Sequence, residues 1–179
     1  GTGTSALVRV FTSRFTGNVV RNNSNGGALH LGDAPVEIVN CVFESNTAPG
    51  GKGGAVFDGT DTITPDTFTG FGYPLTLVNC LFHGNGANKG GGIYSDGREQ
   101  TAPTSSTIVN CTIVGNYATG TGATGAGVYL SAPTLKPAII NCIAWGNLVG
   151  ASSSETAQIG WYGGTPPDVS YTCNQNESQ

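Results

Sequence analysis

A repeat of about 30 residues is the feature that most constrains how this chain can fold. Each copy carries a short apolar run, an Asn-Cys pair, a second asparagine and a glycine-rich stretch, in that order. Self-similarity at such a period predicts a solenoid, in which each coil packs on its neighbours. The copies are EIVNCVFESNTAPGGKGGAVF (37–57), TLVNCLFHGNGANKGGGIY (76–94), TIVNCTIVGNYATGTGATGAGVY (107–129) and AIINCIAWGN (138–147), with fainter copies at 9–30 and 168–173.

Apolar residues alternate with polar ones on both sides of each Asn-Cys pair, and the two alternations are out of phase. Ile38 lies two residues before Asn40, whereas Cys41 and Phe43 follow it by one and three. A chain changes parity in this way by turning a corner, and Asn tolerates the left-handed backbone that a sharp corner needs. The pattern predicts three strands and three bends per coil, which describes a parallel β-helix (solenoid) of about five to six coils.

In such a helix each repeated position becomes a ladder, because stacked coils lie about 4.8 Å apart. Asn can then bond to Asn and Phe can stack on Phe. The sequence predicts a ladder of corner asparagines, with Thr12 and Tyr171 as divergent equivalents, and places Asn110 in a buried corner. The corner asparagines are Asn40, Asn79, Asn110 and Asn141; a second set consists of Asn18, Asn46, Asn85, Asn116 and Asn147.

Two short motifs recur in fixed order. An FxxN motif begins at Phe15, Phe43 and Phe82, and a GGA[ILV]-like motif begins at Gly26, Gly53 and Gly90. The chain thereby resembles the repeat of chlamydial polymorphic outer-membrane proteins and the wider group of bacterial right-handed β-helix surface proteins. The resemblance implies a right-handed helix, an extracellular or cell-surface location and a role in adhesion or surface architecture. The later copies depart from the motifs at Ile113, Ala144 and Gly125-Ala126.

The composition excludes several classes of protein. Seven Lys and Arg residues and a net charge of −4 do not form the basic surface that nucleic acid requires. No stretch approaches the roughly 18 apolar residues of a transmembrane helix. The sequence contains no Met, so we expect a processed chain or a fragment of a longer one.

Four cysteines occupy the same position in successive coils: Cys41, Cys80, Cys111 and Cys142. Zinc sites bring ligands in close pairs such as CxxC, and that spacing is absent here. We therefore expect a column of inward thiols that act as small apolar side chains. A single disulfide between Cys142 and Cys173 is an open alternative. The glycines match neither a P-loop nor the calcium-binding nonapeptide, so neither a metal nor a cofactor is expected.

Acidic residues follow the third strand of several coils, at Asp33, Asp58 and Asp96. Paired carboxylates could hydrolyse a glycosidic bond, and an aspartate beside Arg98 with calcium could support a lyase. The Asp-Gly pairs at 58–59 and 96–97 are equally typical of turns, and this interpretation is favoured because Lys, Arg and His do not cluster around them.

An aromatic position follows the last core residue of four coils, at His30, Phe57, Tyr94 and Tyr129. Outward rings would form a stripe that stacks on sugars or on another protein, whereas inward rings would fill the core. The sequence leaves both alternatives open. Two loop insertions, at 58–74 with Tyr73 and at 149–167 with Trp161, add aromatic candidates for binding.

Together these patterns predict one β-helix domain over residues 1–179, with a non-enzymatic, structural or adhesive role. We expect it to self-assemble into a filament or to form part of a larger surface protein, so its partners are further copies, other surface proteins or glycans. The alternative hypothesis is a carbohydrate-active enzyme or a glycan-binding module.

Overall fold

The computed structural model describes residues 6–32, 34–59, 73–96, 105–131 and 136–175, which wind into a parallel β-solenoid of about five turns. The predicted parallel β-helix is confirmed. Each complete coil contributes four strands to four parallel sheets, not the predicted three. The additional strand comes from the stretch TAPGGK and its equivalents, which were expected to be a bend. Backbone groups of any residue can pair with a stacked neighbour, so this stretch forms a strand despite its poor β propensity.

Each coil crosses the sheets in a constant order, and we number the sheets accordingly. The first sheet contains β1 (Val8–Phe11), β4 (Val36–Val39), β8 (Leu75–Val78), β12 (Thr107–Val109), β16 (Ala138–Ile140) and β20 (Asp168–Ser170). The second contains β2 (Arg14–Thr16), β5 (Val42–Glu44), β9 (Leu81–His83), β13 (Thr112–Val114), β17 (Ile143–Trp145) and β21 (Cys173–Asn174). The third contains β6 (Thr47–Lys52), β10 (Gly86–Lys89), β14 (Tyr117–Ala118) and β18 (Leu148–Val149). The fourth contains β3 (Leu29–Leu31), β7 (Val56–Asp58), β11 (Ile93–Asp96), β15 (Val128–Ser131) and β19 (Ile159–Tyr162).

One helical turn, α1 (Glu155–Gln158), precedes β19 within the predicted loop 149–167. No helix in the described ranges has the length and apolarity needed to cross a bilayer.

The corner between the first and second sheets is made by the Asn of each Asn-Cys pair, as predicted. These asparagines have left-handed backbones, with φ of 55° at Asn40, 53° at Asn79, 55° at Asn110 and 52° at Asn141. Thr12 and Tyr171, their divergent equivalents, have φ of 48° and 51°. The corner side chains are exposed, so the prediction of a buried Asn110 was wrong. The inward residues around the corner are the one two positions before the asparagine and the one directly after it, such as Ile38 and Cys41 at Asn40, and the corner side chain between them faces solvent.

The exposed corner asparagines also bond from coil to coil. The Nδ2 of Asn79 donates to Oδ1 of Asn40 at 2.6 Å, and that of Asn141 donates to Oδ1 of Asn110 at 2.8 Å. The predicted ladder is therefore present, but water competes for these amides.

The core is a single column of apolar side chains inside the cylinder. Phe15, Phe43 and Phe82 stack with ring centroids 4.8 Å apart and planes within 4° of parallel. Ile113 and Ala144 continue this position in the next coils and are fully buried. Burial of an apolar side chain of this size contributes about 2 kcal/mol, so this repeated core position stabilises each coil.

A second amide ladder runs through the buried corner between the second and third sheets. Asn46, Asn85, Asn116 and Asn147 are fully buried. In each coil the Oδ1 accepts two hydrogen bonds from the preceding asparagine, from its backbone N–H and its Nδ2, at 2.9–3.0 Å. The Nδ2 also donates to a carbonyl oxygen of the preceding coil, such as that of Phe43 for Asn85 at 3.0 Å. Every member is thus fully bonded while shielded from water.

Gln158 of α1 terminates this buried ladder. Its Oε1 accepts from the Nδ2 and N–H of Asn147 at 2.7 and 3.0 Å. Its Nε2 donates to the carbonyl oxygens of Asn147 and Ser153 at 3.0 and 2.9 Å. A longer side chain reaching from α1 therefore supplies the amide that an asparagine supplies in the other coils.

The glycine pairs before the fourth sheet serve two different purposes. The first glycine of each pair turns the chain, with φ of 65° at Gly53 and 61° at Gly90. The second lies against the next coil: a Cβ on Gly54 would come within 2.1 Å of the carbonyl oxygen of Gly91. The motif is therefore explained by backbone geometry and close packing.

We predict that the buried and exposed asparagines of one coil differ sharply in their contribution to stability. Asn85→Leu keeps the branched shape of the side chain but leaves buried bonding groups of Asn46 and Phe43 unsatisfied, at about 1–3 kcal/mol each. We expect a loss of roughly 3–5 kcal/mol in the free energy of unfolding, measured by urea denaturation. The matched control is Asn79→Gly, which keeps the left-handed corner and should cost less than about 1 kcal/mol. Equal losses in the two variants would contradict this assignment.

Candidate functional site

The predicted aromatic stripe lies on the outer side of the fourth sheet. Val56, Ile93 and Val128 belong to the central core, and the rings that follow them point away from it. Phe57 and Tyr94 have centroids 5.4 Å apart, and Tyr94 and Tyr129 have centroids 5.1 Å apart. The rings are outward, yet they are only 1%, 3% and 6% exposed and form an apolar cluster of their own.

The other predicted binding residues are not brought to one place. His30 continues the stripe but is exposed, and it meets Phe57 edge-on at 4.9 Å. Tyr73 is half-buried and precedes β8 on another side of the coil. Trp161 on β19 is 49% exposed. Its register partner is Leu130, whereas the register partner of Tyr129 is Gly160, so Trp161 does not continue the stripe. Phe68 and Phe71 of the 58–74 insertion lie outside the described residues.

A cavity of about 430 Å³ opens beside Tyr94 and Tyr129, between the third and fourth sheets. The Nζ of Lys52 lies 4.9 Å from the centroid of the Tyr94 ring, and that of Lys89 lies 5.8 Å from the centroid of Tyr129. Each ammonium group is thereby held over the tyrosine of the following coil. The remaining lining residues are Asn23, Asn25, Gly50, Gly51, Asn88, Ser131 and Tyr162.

The sequence pattern did not predict a role for the two lysines of this cavity. A P-loop lysine is followed by Ser or Thr, whereas Lys52 and Lys89 are each followed by glycine. The usable signal was their repetition: each is followed by Gly-Gly at the same point of its repeat. The two lysines lie close to the aromatic stripe because they belong to the third sheet, and the sequence pattern did not predict the strands of that sheet.

The two candidate acids that the structure describes, Asp58 and Asp96, face opposite sides of the fourth sheet. Asp58 lies in the register of Leu31 and Leu130, which are core residues, and it is 4% exposed. Its Oδ2 accepts a hydrogen bond from Ser95 Oγ at 3.0 Å. Asp96 follows Ser95 and has the opposite parity, on the side of the tyrosines. Asp33 and Arg98 lie outside the described residues.

Burial raises the pKa of Asp58 to about 7, with a smaller contribution from the charge of Asp96 and an opposing one from the Ser95 hydrogen bond. A carboxyl group that holds its proton near neutrality can be a catalytic acid. In this position it faces the core, so its proton is not presented to a ligand in the cavity.

We predict that Asp58 makes the fold less stable as the pH rises. Below pH 4 the carboxyl is protonated in both states, whereas between pH 4 and 7 only the unfolded chain releases the proton. The stabilisation that Asp58 gives the folded state at low pH therefore falls as the pH rises from 4 and is gone above about 7. The total loss is roughly 4 kcal/mol, at 1.36 kcal/mol per pKa unit. Asp58→Asn should therefore become increasingly stabilising, relative to the parent chain, in urea melts from pH 4 to 8. The exposed Asp168→Asn is the control, and a pH-independent effect of Asp58→Asn would refute the prediction.

The cysteine column is inward and buried, as predicted. The backbone N–H groups of Cys41, Cys80 and Cys111 each point to the sulfur of the next coil at 3.4–3.5 Å. In the last coil Thr172 Oγ1 takes this place beside Cys142, at 3.3 Å. Cys173 pairs in register with Ile143 and faces the opposite side, and all five cysteines are free thiols. The alternative of a Cys142–Cys173 disulfide was therefore wrong.

Burial keeps reagents from the column, because the four thiols are only 1–3% exposed. Burial raises the pKa of Cys41, and hydrogen bonds with Cys142 and Cys80 together with burial raise that of Cys111. Hydrogen bonds with Cys111 lower the pKa of Cys80 and of Cys142 to about 7, so these two thiols are protected by burial alone. Within the described part of the chain, no group of three or more His, Cys, Asp or Glu side chains could hold a metal ion. The column therefore packs the core and is not a reactive centre.

We predict that a thiol reagent distinguishes one cysteine from the other four. Cys173 is exposed and should react with Ellman's reagent at pH 8 within minutes in the native chain. The four buried thiols should react only after unfolding in guanidinium chloride. Cys173→Ser should abolish the fast reaction, and a second fast thiol in native protein would contradict the buried column.

The stacked sheets and the two amide ladders define the class of protein: a parallel β-solenoid made of similar coils. Within that class, the family model of the Chlamydia polymorphic membrane protein repeat matches residues 40–58 and 79–96, about a fifth of the chain. Each matched segment runs from a corner asparagine to the end of a fourth-sheet strand, so the chain is a β-helix protein with repeats of this type. Comparisons with curated proteins and with solved structures found no match.

Proposed function

We propose that this chain is a non-enzymatic scaffold at a bacterial cell surface that presents its outer faces for adhesion. The single observation that carries the proposal is that the repeated residues are structural. The corner asparagines, the buried amide ladder, the cysteine column and the glycine pairs all hold one coil on the next. These repeated residues therefore hold the cylinder together, and the cylinder presents its outer side chains to other surfaces.

The matched repeat supports the location of this scaffold. The family model describes a repeat of a membrane protein of Chlamydia, and this chain carries the repeat in two coils. A β-helix exposes long lateral faces at constant spacing, which suits contact with another surface. The scattered acids give no comparable support to the alternative of a carbohydrate-active enzyme.

The proposal is tested on the bacterium that produces the chain. Antibodies raised against the folded chain should label intact cells, and a brief protease treatment of intact cells should remove the label. Beads coated with the chain should adhere to target cells more than beads coated with an unrelated β protein. Labelling that appears only after permeabilisation would overturn the surface location, and equal adhesion of both bead types would overturn the adhesive role.

Self-association is a second candidate, favoured by the edges of the first sheet. β1 and β20 lie at opposite edges, and a parallel edge strand can pair with the complementary edge of another solenoid segment. Val8 and Phe11 on one edge and Val169 on the other are 45%, 50% and 42% exposed, which adds apolar surface. Electron microscopy of the purified chain should show filaments if the partner edge is a second copy, and single particles would exclude this candidate.

A further inference from the structure

Charged residues on neighbouring coils are arranged as opposite pairs in several places. Arg9 Nε lies 3.0 Å from Glu37 Oε2 on the next coil, and Arg14 pairs with Glu44. Lys136 Nζ lies 3.2 Å from Asp168 Oδ2. A cation on one coil is thus compensated by an acid on the adjacent one. The two residues are register partners for Arg9 and Glu37, and they are two positions out of register in the other two pairs.

Lys52 and Lys89 break this arrangement. They are register partners on β6 and β10, so two like charges face each other on strands about 4.8 Å apart. Neither forms an ion pair with a carboxylate among the residues that the structure describes. Both are half-buried and held over tyrosine rings, which keeps the ammonium groups beside the cavity. Two ammonium groups beside the same cavity repel each other, and an anion bound between them would offset that repulsion.

The rest of the lining is suited to a hydroxylated ring. Side-chain amides of Asn23, Asn25 and Asn88 can donate and accept hydrogen bonds. Tyr162, at the rim, is 73% exposed and offers a flat aromatic face. Among the described residues that line the cavity, Lys52 and Lys89 are the charged ones and none carries a carboxylate. Asp96 lies outside this lining, on the same side of the fourth sheet, where its charge acts on Tyr129.

We propose that this cavity binds an acidic saccharide, a sugar ring that carries a carboxylate or a sulfate. The anionic group lies between Lys52 and Lys89, the ring hydroxyls bond to the asparagine amides, and the ring stacks on Tyr162. The volume of about 430 Å³ lies in the range of small-ligand sites, about 300–1,000 Å³, and accommodates one or two sugar units. The inference deepens the adhesive role proposed above and rests on it for the biological source of the sugar.

The test is calorimetric titration of the native chain at low salt with four probes. These are a galacturonic acid disaccharide, a lactose sulfated at one hydroxyl and free of carboxylate, the neutral disaccharide lactose and a short polyglutamate peptide. We expect the uronic acid or the sulfated sugar to bind, more weakly as salt is added, and lactose and the peptide to bind at least tenfold more weakly. The two acidic sugars distinguish a carboxylate from a sulfate ligand.

Substitutions locate the site. Lys52→Gln and Lys89→Gln should each lower the affinity for the acidic sugar at least tenfold, and each variant should still unfold cooperatively on heating, because neither side chain belongs to the central core. Lys136→Gln is the matched control, since that lysine lies outside the cavity, and it should leave binding unchanged. Tyr162→Ala should weaken the binding of sugars but not the binding of inorganic sulfate.

The inference is overturned if no acidic sugar binds, if lactose or polyglutamate binds equally well, or if the two lysine variants bind like the parent chain. If antibodies against the chain label intact cells but the chain binds no acidic sugar, the surface role stands and only this site is removed. Binding by a chain found only inside the cell would retain the site and remove the adhesive role.

Discussion

The buried amide ladder is the interaction on which the rest of this structure depends. A single asparagine in the core would place a costly polar group out of water, but a stack of them satisfies every donor and acceptor through its neighbours. The arrangement works only if Asn46, Asn85 and Asn116 keep the same position in each coil. This requirement sets the register of all four sheets, and it explains why Gln158 is recruited where the next coil supplies no asparagine.

With the register set, other positions are stacked whether or not stacking favours them. The phenylalanine column gains from this, because parallel rings at the coil spacing pack efficiently. The lysines at 52 and 89 do not gain, because the same spacing brings two positive charges together. In a solenoid, repeated positions whose stacking is unfavourable are therefore candidates for function. The repulsion between such residues can be offset by a ligand from outside the chain.

The fold was largely predictable from sequence, and the candidate site was not. The corner at Asn79 could be located because a parity change and a residue tolerant of left-handed backbone coincide there. The inward cysteines followed from the same alternation. The third sheet escaped prediction because its strands, such as Thr47–Lys52, contain residues with little β preference and are strands only through pairing with adjacent coils. Without that strand, Lys52 could not be placed beside Tyr94.

The sequence by itself determined the solenoid, its repeat length, the corner residues and the composition of the core, since these follow from periodicity and local backbone preference. The tertiary structure alone decided which amide ladder is buried and which is exposed. It also decided that the aromatic residues point outward yet are shielded from solvent, and that two lysines from successive coils share a cavity with them. The physical reason is that these properties depend on the path of the chain across all four sheets. A repeat pattern specifies which residues are equivalent, but it does not specify how far apart the strands of one coil lie.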